Sequence, residues 1–253
     1  MKQYDLINKV IDILVNNEYI QYAFLKGSFA SGKEDVYSNV DIFIKLRVEK
    51  EEDFFANFLQ LFETYNQIVF YKQYEYEKIR IIYKDSINLN INLVNELKYL
   101  KFDDSIVKLY DPDNLLDNIY EYTLELSDTE IASIVDEMSL KCYEFHRLFL
   151  RNEFTVIMHT VEGIHELYSL ILHYYYSKED SKLGIKKVFT NMELEGRKRY
   201  VEILKEWKLD SVKHCVLMMM EDVHNIIIGF NLNIANHFNF DFFMDMKKKI
   251  SLL

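Results

Sequence analysis

Hydrophobic and polar residues alternate with a period of two along two short stretches in the first half of the chain. In residues 40–44 every second residue is valine or isoleucine, and in residues 88–93 leucine and isoleucine alternate with three asparagines. Because successive side chains of a strand point to opposite faces, each stretch has one apolar face and one face that carries polar groups. The pattern predicts two strands of one sheet.

Apolar residues spaced three or four positions apart predict helices on either side of these strands. A stripe from Leu6 to Leu14 predicts a helix in residues 3–17, and a stripe from Phe54 to Phe62 predicts another in residues 51–65. Shorter apolar runs predict further strands in residues 22–25, 68–74, 77–83 and 106–110. We therefore expect the N-terminal part to form a mixed sheet with helices on one side.

The pattern becomes almost wholly helical after Pro112, the only proline of the chain. Proline disfavours helix in the residue before it, so Pro112 marks a boundary. Ser127 followed by Glu130 is typical of a helix start. Helical spacing then continues through residues 127–150, 154–176, 192–207, 212–230 and 240–252. The predicted fold class is α+β, with a mixed-sheet domain in residues 1–111 and an antiparallel helical bundle in residues 112–253.

Composition narrows the classes of partner. Hydrophobic residues make up 49% of the 253 residues, which is enough for a substantial core. No apolar run reaches about 18 residues and the first residues do not resemble a secretory signal, so we expect a cytoplasmic protein with no membrane partner. The net charge of -11 disfavours nucleic acid as the main partner and favours a small cationic molecule in an acidic cleft. The sequence does not fix the oligomeric state, and a homodimer is one of the states it allows.

The cysteines and histidines do not have metal-site spacing. Cys142 and Cys215 lie far apart in apolar helical surroundings, which predicts buried thiols. His159, His165 and His173 share one predicted helix, but their spacings of six and eight differ from the four-residue spacing that places two imidazoles on one metal. We interpret these side chains as packing or surface residues.

A Gly/Ser turn joins the strand that ends near Leu25 to the strand that begins at Val40. Gly27 has no Cβ, so the backbone can approach a bulky anion, and the Ser28 hydroxyl and nearby N–H groups can donate to phosphate oxygens. The period of two places Asn39 and Asp41 on one face of the second strand. A polar pair beside such a turn is what a metal-dependent phosphoryl-transfer site needs.

Other charged residues around the turn have less specific interpretations. Asp35 can hold the loop by accepting backbone N–H bonds or can lend charge to the metal site, and we favour the loop role. Lys33 can contact a triphosphate, and so can Lys26, Lys72 and Arg80, although each of them can equally be a solvated cation.

The stretch from Phe24 to Ile44 resembles the signature of the nucleotidyltransferase superfamily, which is Gly-Ser, a spacer, and then two acidic residues two apart on the next strand. Gly27-Ser28-Phe29, Gly32, Asp35 and Tyr37-Ser38 are most similar to the small antibiotic nucleotidyltransferases that act on lincosamides and, more distantly, on aminoglycosides. The resemblance implies Mg²⁺ as cofactor and ATP or another nucleoside triphosphate as substrate. We expect the nucleotide contacts at Gly27, Ser28, Lys33 and Asn39.

This chain departs from the superfamily at two carboxylate positions. Asn39 stands where relatives carry the first metal-binding acid, Asp41 matches the second, and Asn90 falls at the position of the third. The resemblance therefore implies a metal site made of Asp41, Asn39 and Asn90 with one formal charge. Mg²⁺ favours carboxylate oxygens, so we expect this site to be weak.

A second resemblance lies between two predicted helices. Arg151-Asn152-Glu153 resembles the Arg-Gly-Glu segment of the antibiotic nucleotidyltransferases, which implies that Glu153 is the general base on the acceptor hydroxyl. Asparagine tolerates positive φ, as the glycine of that segment does. From the residues alone, Glu153 can equally be a solvated glutamate in a turn.

Three functions are compatible with these features. The first is transfer of a nucleoside monophosphate from a nucleoside triphosphate to a hydroxyl of a small cationic acceptor such as a lincosamide or aminoglycoside, with Asp41 and Glu153 as catalytic residues. The second is a catalytically inactive protein of the same fold that binds a nucleotide or another ligand. The third is a regulatory module, similar to an antitoxin, that acts through its helical part. The two asparagines favour the second function directly.

Overall fold

The computed structural model describes residues 1–47, 50–74, 77–94, 105–117 and 124–253, with only the backbone of Leu232 and Asn233. The chain divides into two compact units, Met1–Tyr122 and Thr123–Leu253. The predicted boundary at Pro112 lies in a turn of the first unit. The assignment of a catalytic-type domain to residues 1–111 and an acceptor-binding domain to residues 112–253 stays a prediction.

The first unit is built on a six-stranded sheet, and each predicted strand is present. The strands are β1 (Ile20–Lys26), β2 (Val40–Leu46), β3 (Ile68–Tyr74), β4 (Lys78–Tyr83), β5 (Asn88–Leu93) and β6 (Val107–Tyr110). They lie side by side in the order β3-β4-β5-β2-β1-β6. β2 and β5 are parallel and the other neighbours are antiparallel, so the sheet is mixed. Together with the helices, this sheet confirms the α+β class.

Helices α1 (Lys2–Val15) and α3 (Glu51–Phe62) pack on one face of the sheet, as their apolar stripes predict. Both stripes are buried together with the valine and isoleucine residues of β2. Burying one such phenylalanine or leucine side chain stabilises the fold by about 1.5–3 kcal/mol, so this face is the main core of the first unit. The fully buried members include Leu6, Val10, Leu14, Phe54, Val40, Ile42 and Ile44.

The other face of the sheet carries a small aromatic cluster and the polar residues. Phe24 and Phe43 stack there with ring centroids 5.3 Å apart, and Tyr22 lies 6.4 Å from Phe24. Asp41 shares this face with Phe43 because they are two residues apart on β2. This face therefore positions the candidate site.

The second unit is helical. Its helices are α4 (Asp128–Leu150), α5 (Phe154–Tyr176), a 3-10 helix (Lys178–Leu183), α6 (Val188–Asn191), α7 (Leu194–Lys205), α8 (Val212–Ile227), α9 (Leu232–Ala235) and α10 (Phe240–Ser251). One core runs through them, in which α4 packs on α5 and α10, and α5 packs on α8. Cys142 and Cys215 are buried in this core as free thiols, and burial raises the pKa of both. The antiparallel arrangement stays a prediction. None of the described helices is both long and apolar enough to cross a bilayer.

Helix α4 begins with the capping box that the sequence predicts. The Glu130 N–H donates to Ser127 Oγ at 3.2 Å, and the Ser127 N–H donates to Glu130 Oε2 at 2.8 Å. Two otherwise unpaired donors are thus satisfied, and the bonds from Ser127 hold the pKa of Glu130 below its ordinary value.

We expect Ser127→Ala to lower the free energy of unfolding of the second unit by about 1 kcal/mol. Urea unfolding followed by circular dichroism measures the change. Ser133→Ala is the matched control, because Ser133 is exposed on the same helix and lies away from the capping box. An equal loss in both variants would show that the capping box is not the cause.

Candidate functional site

The turn after β1 places a glycine directly against Asp41. Gly27 has φ 74° and ψ -147°, and a Cβ at this position would lie 3.5 Å from Asp41 Oδ2. The short helix α2 (Ser28–Ser31) follows, and Ser31 Oγ donates to the Gly27 carbonyl at 3.0 Å. The sequence predicts that the Gly27-Ser28 turn lies beside Asp41, and the structure places Gly27 next to Asp41 on the polar face of the sheet.

The loop from Lys33 to Ser38 is held by its own side chains and by α1. The Tyr37 N–H donates to Asp35 Oδ1 at 2.9 Å, and Ser38 Oγ donates to the same oxygen at 3.0 Å. These bonds confirm the loop role of Asp35. Gln3 Nε2 donates to the Val36 carbonyl at 2.9 Å, which ties the loop to α1. Sequence reasoning missed Gln3 because its partner is 33 residues away along the chain.

Asp41, Asn90 and Arg80 form a continuous row of hydrogen bonds across three neighbouring strands. Asn90 Nδ2 donates to Asp41 Oδ1 at 2.8 Å, and Arg80 Nε donates to Asn90 Oδ1 at 3.1 Å. The three residues are Cα partners across β2, β5 and β4. Asn90 is only 3% exposed, so its amide is held in this orientation. Asp41 and Asn90, both predicted for one site, lie in direct contact.

Asn39 and Asn88 form a second polar contact at the start of the same two strands. Asn88 Nδ2 donates to Asn39 Oδ1 at 3.1 Å. Both residues line a cleft of about 590 Å³ in the first unit, whose other walls are Lys2, Gln3, the loop at Tyr37 and the turn at Asp85. The buried Asn88 Oδ1 has no hydrogen-bond partner among the described residues. Clefts of 300–1,000 Å³ hold small molecules and cofactors, so this one is large enough for a nucleotide.

The donor set does not fit the pair of Mg²⁺ ions that the superfamily resemblance implies. Asn90 turns its NH₂ group towards Asp41 and its oxygen towards the Arg80 guanidinium, so the oxygen that could bind a cation faces a cation instead. In the part of the chain that the structure describes, no three histidine, cysteine or acidic side chains are grouped so that they could hold a metal. The predicted metal site at Asp41, Asn39 and Asn90 remains a prediction.

Ser28 and Lys33 lie at opposite ends of α2. Ser28 is half-buried next to Gly27, whereas Lys33 is exposed after the helix, and its N–H donates to the Ser28 carbonyl at 2.9 Å. Nucleotide contacts at Ser28 and Lys33 stay predictions.

Glu153 lies in the second unit, in the turn between α4 and α5. Asn152 has φ 57°, as predicted for the residue that replaces glycine there. The Glu153 carboxylate is half-exposed and lies 4.0 Å from the Arg151 guanidinium. Arg151 and Arg147 line a cleft of about 680 Å³ between α4 and α5 that also contains Glu166. The role of Glu153 as general base stays a prediction.

Comparisons with known proteins add little to this picture. No protein-family model matches the chain, and no curated protein matches its sequence. Among solved structures, the chain is similar to an aminoglycoside 6-adenyltransferase from Bacillus subtilis, with 11% identity and a TM-score of 0.35 over 99% of this chain and 97% of that one. A TM-score this low assigns neither a fold family nor an activity to the chain.

Proposed function

We propose that the first unit binds a nucleoside triphosphate against the Gly27 turn and the polar sheet face, without two-metal transfer of the nucleotide. The observation that best supports this proposal is the row of hydrogen bonds from Asp41 through Asn90 to Arg80. Two-metal transfer needs several carboxylates to hold the ions. Here Asp41 is the one carboxylate of the row, and it accepts a hydrogen bond from the neutral amide of Asn90. That amide in turn accepts a hydrogen bond from the Arg80 guanidinium.

The binding role rests on the groups around this row. Gly27 lets an anion approach the backbone next to Asp41, and Ser28 and Lys33 follow it in the chain. The cleft beside Asn39 and Asn88 has room for the nucleoside. In this proposal, these residues bind and orient the nucleotide.

A second candidate is transfer of a nucleoside monophosphate to a small cationic acceptor such as a lincosamide or aminoglycoside. The retained Asp41 beside Gly27 favours it, as does the cleft of about 680 Å³ beside the Glu153 turn. It would require Mg²⁺, and the orientation of the Asn90 amide opposes this requirement. The first proposal is therefore the better supported one.

Calorimetric titration of the full chain with ATP, with and without Mg²⁺, tests the proposal. We expect the native protein to bind ATP and to transfer no labelled AMP to a lincosamide or an aminoglycoside. In the double variant Asn39→Asp, Asn90→Asp, we expect Mg²⁺ to raise ATP affinity by at least about 10-fold, because the added carboxylates create a hard-cation site.

The control for the double variant is Asn92→Asp, which places a carboxylate on the same face of β5, two residues beyond Asn90. It should leave the effect of Mg²⁺ on ATP binding unchanged. AMP transfer by the native chain would support the second candidate, whereas absence of ATP binding by the native chain, both with and without Mg²⁺, would refute nucleotide binding.

A further inference from the structure

Five residues that are Cα partners cross the sheet in one line, and three of them are cations. Lys72 pairs with Arg80, Arg80 with Asn90, Asn90 with Asp41, and Asp41 with Lys26. Directly paired residues of neighbouring strands project to the same face, and strands lie about 4.8 Å apart, so the line is roughly 19 Å long. We call these five residues the charged row. Three cations stand against one carboxylate in a protein whose net charge is -11.

Asn90 has two effects on the charges of this row. Its NH₂ group donates a hydrogen bond to Asp41 Oδ1. Its oxygen accepts a hydrogen bond from Arg80 Nε, which holds the guanidinium in place. An aspartate at position 90 would neutralise Arg80 by forming an ion pair, whereas the neutral amide orients Arg80 and leaves its charge uncompensated. Among the described residues, no carboxylate lies within 4.0 Å of the Arg80 guanidinium.

A guanidinium held in this way is suited to phosphate. It presents planar N–H donors that match two oxygens of one phosphate group. Arg80 uses Nε for Asn90, and no hydrogen bond from its two terminal nitrogens is formed to the residues that the structure describes. Arg80 lies two strands away from Asp41, so their Cα atoms are about 10 Å apart. An arginine side chain and a bound triphosphate can together span this distance.

We propose that Arg80, with Lys26 and Lys72 in the charged row, binds the phosphates of a metal-free triphosphate and takes over the charge neutralisation that Mg²⁺ would otherwise provide. This inference rests on the proposed nucleotide binding and specifies the ionic form of the ligand. A triphosphate without Mg²⁺ is the more negative species, so it gains more from three cations. Chelation of Mg²⁺ should therefore leave binding intact or strengthen it.

Titration of the full chain with ATP and with inorganic tripolyphosphate, each in EDTA and in excess Mg²⁺, tests the inference. In EDTA we expect Arg80→Gln to weaken binding of both ligands about 10- to 100-fold, the range of a charged hydrogen bond. Arg80→Lys should recover part of the loss. The control is Lys84→Gln, which removes the same charge just after β4 and outside the row, and which should change affinity by less than about 2-fold.

Asn90→Asp supplies a test that leaves Arg80 in place. In EDTA it should weaken ATP binding as strongly as Arg80→Gln, because the new carboxylate pairs with Arg80. Binding of ATP that requires Mg²⁺, with Arg80→Gln equal to Lys84→Gln, would overturn the inference while leaving nucleotide binding in place. No ATP binding by the native chain in either medium would overturn both.

Discussion

Gly27→Ala is expected to lower the free energy of unfolding of the first unit by about 1–3 kcal/mol and to weaken ATP binding by at least about 10-fold. The backbone at Gly27, with φ 74° and ψ -147°, lies close to a region that only glycine enters without strain. Contact is not the cause, because the new Cβ would meet Asp41 Oδ2 at 3.5 Å, an ordinary distance. To relieve the strain, the turn must rotate, which moves the backbone next to Asp41.

Gly32→Ala is the matched control for this variant. Gly32 also has positive φ, at 66°, but its ψ of 24° lies in the left-handed helical region that other residues can enter. A Cβ there would have no atom within 4 Å. We expect a stability loss of about 1 kcal/mol and unchanged ATP affinity. Urea unfolding by circular dichroism and calorimetry with ATP measure both quantities, and equal affinity losses in the two variants would contradict a special role of Gly27.

The sequence predicted the sheet well because the relevant signal is local. In β2 and β5 the period of two determines which side chains face the core, and all the valine and isoleucine residues of β2 are buried as predicted. The face shared by Asn39, Asp41 and Asn90 follows from the same rule. The Ser127 capping box is equally local, since its two partners are three residues apart.

The contact between Arg80 and Asn90 could not be predicted from the sequence, because it depends on the register of β4 against β5. That register is set by the turn between them, in which the Tyr83 N–H bonds to the Ile87 carbonyl at 3.0 Å and Ser86 has φ 67°. Serine is an uncommon residue at positive φ, so the sequence carries no clear signal for this turn. A shift of one residue would move Arg80 to the core face. The function of the polar face thus depends on a feature that only the structure provides.

His165 should make the stability of the second unit depend on pH between about 4 and 6.5. The side chain is 6% exposed on α5, its Nε2 lies 2.6 Å from Tyr200 Oη, and its ring is 4.8 Å from that of Trp207. Burial lowers the pKa of His165 to about 4, although Glu162 acts in the opposite direction. The unfolded chain binds a proton below its ordinary pKa of 6.5, whereas the folded chain does so only below about 4.

Because the folded pKa is the lower one, the stability contribution of neutral His165 is complete above pH 6.5 and is lost as the pH falls towards 4. The loss amounts to about 3 kcal/mol over this range. Urea unfolding followed by fluorescence measures it in the second unit, since Trp207 is the only tryptophan of the chain. We expect His165→Gln to remove most of this slope and His159→Gln to keep it, because His159 lies on the same helix with its side chain 85% exposed. If His165→Gln kept the native slope, protonation of other groups would have to account for the acid sensitivity, and His165 would be only a packing residue between Tyr200 and Trp207.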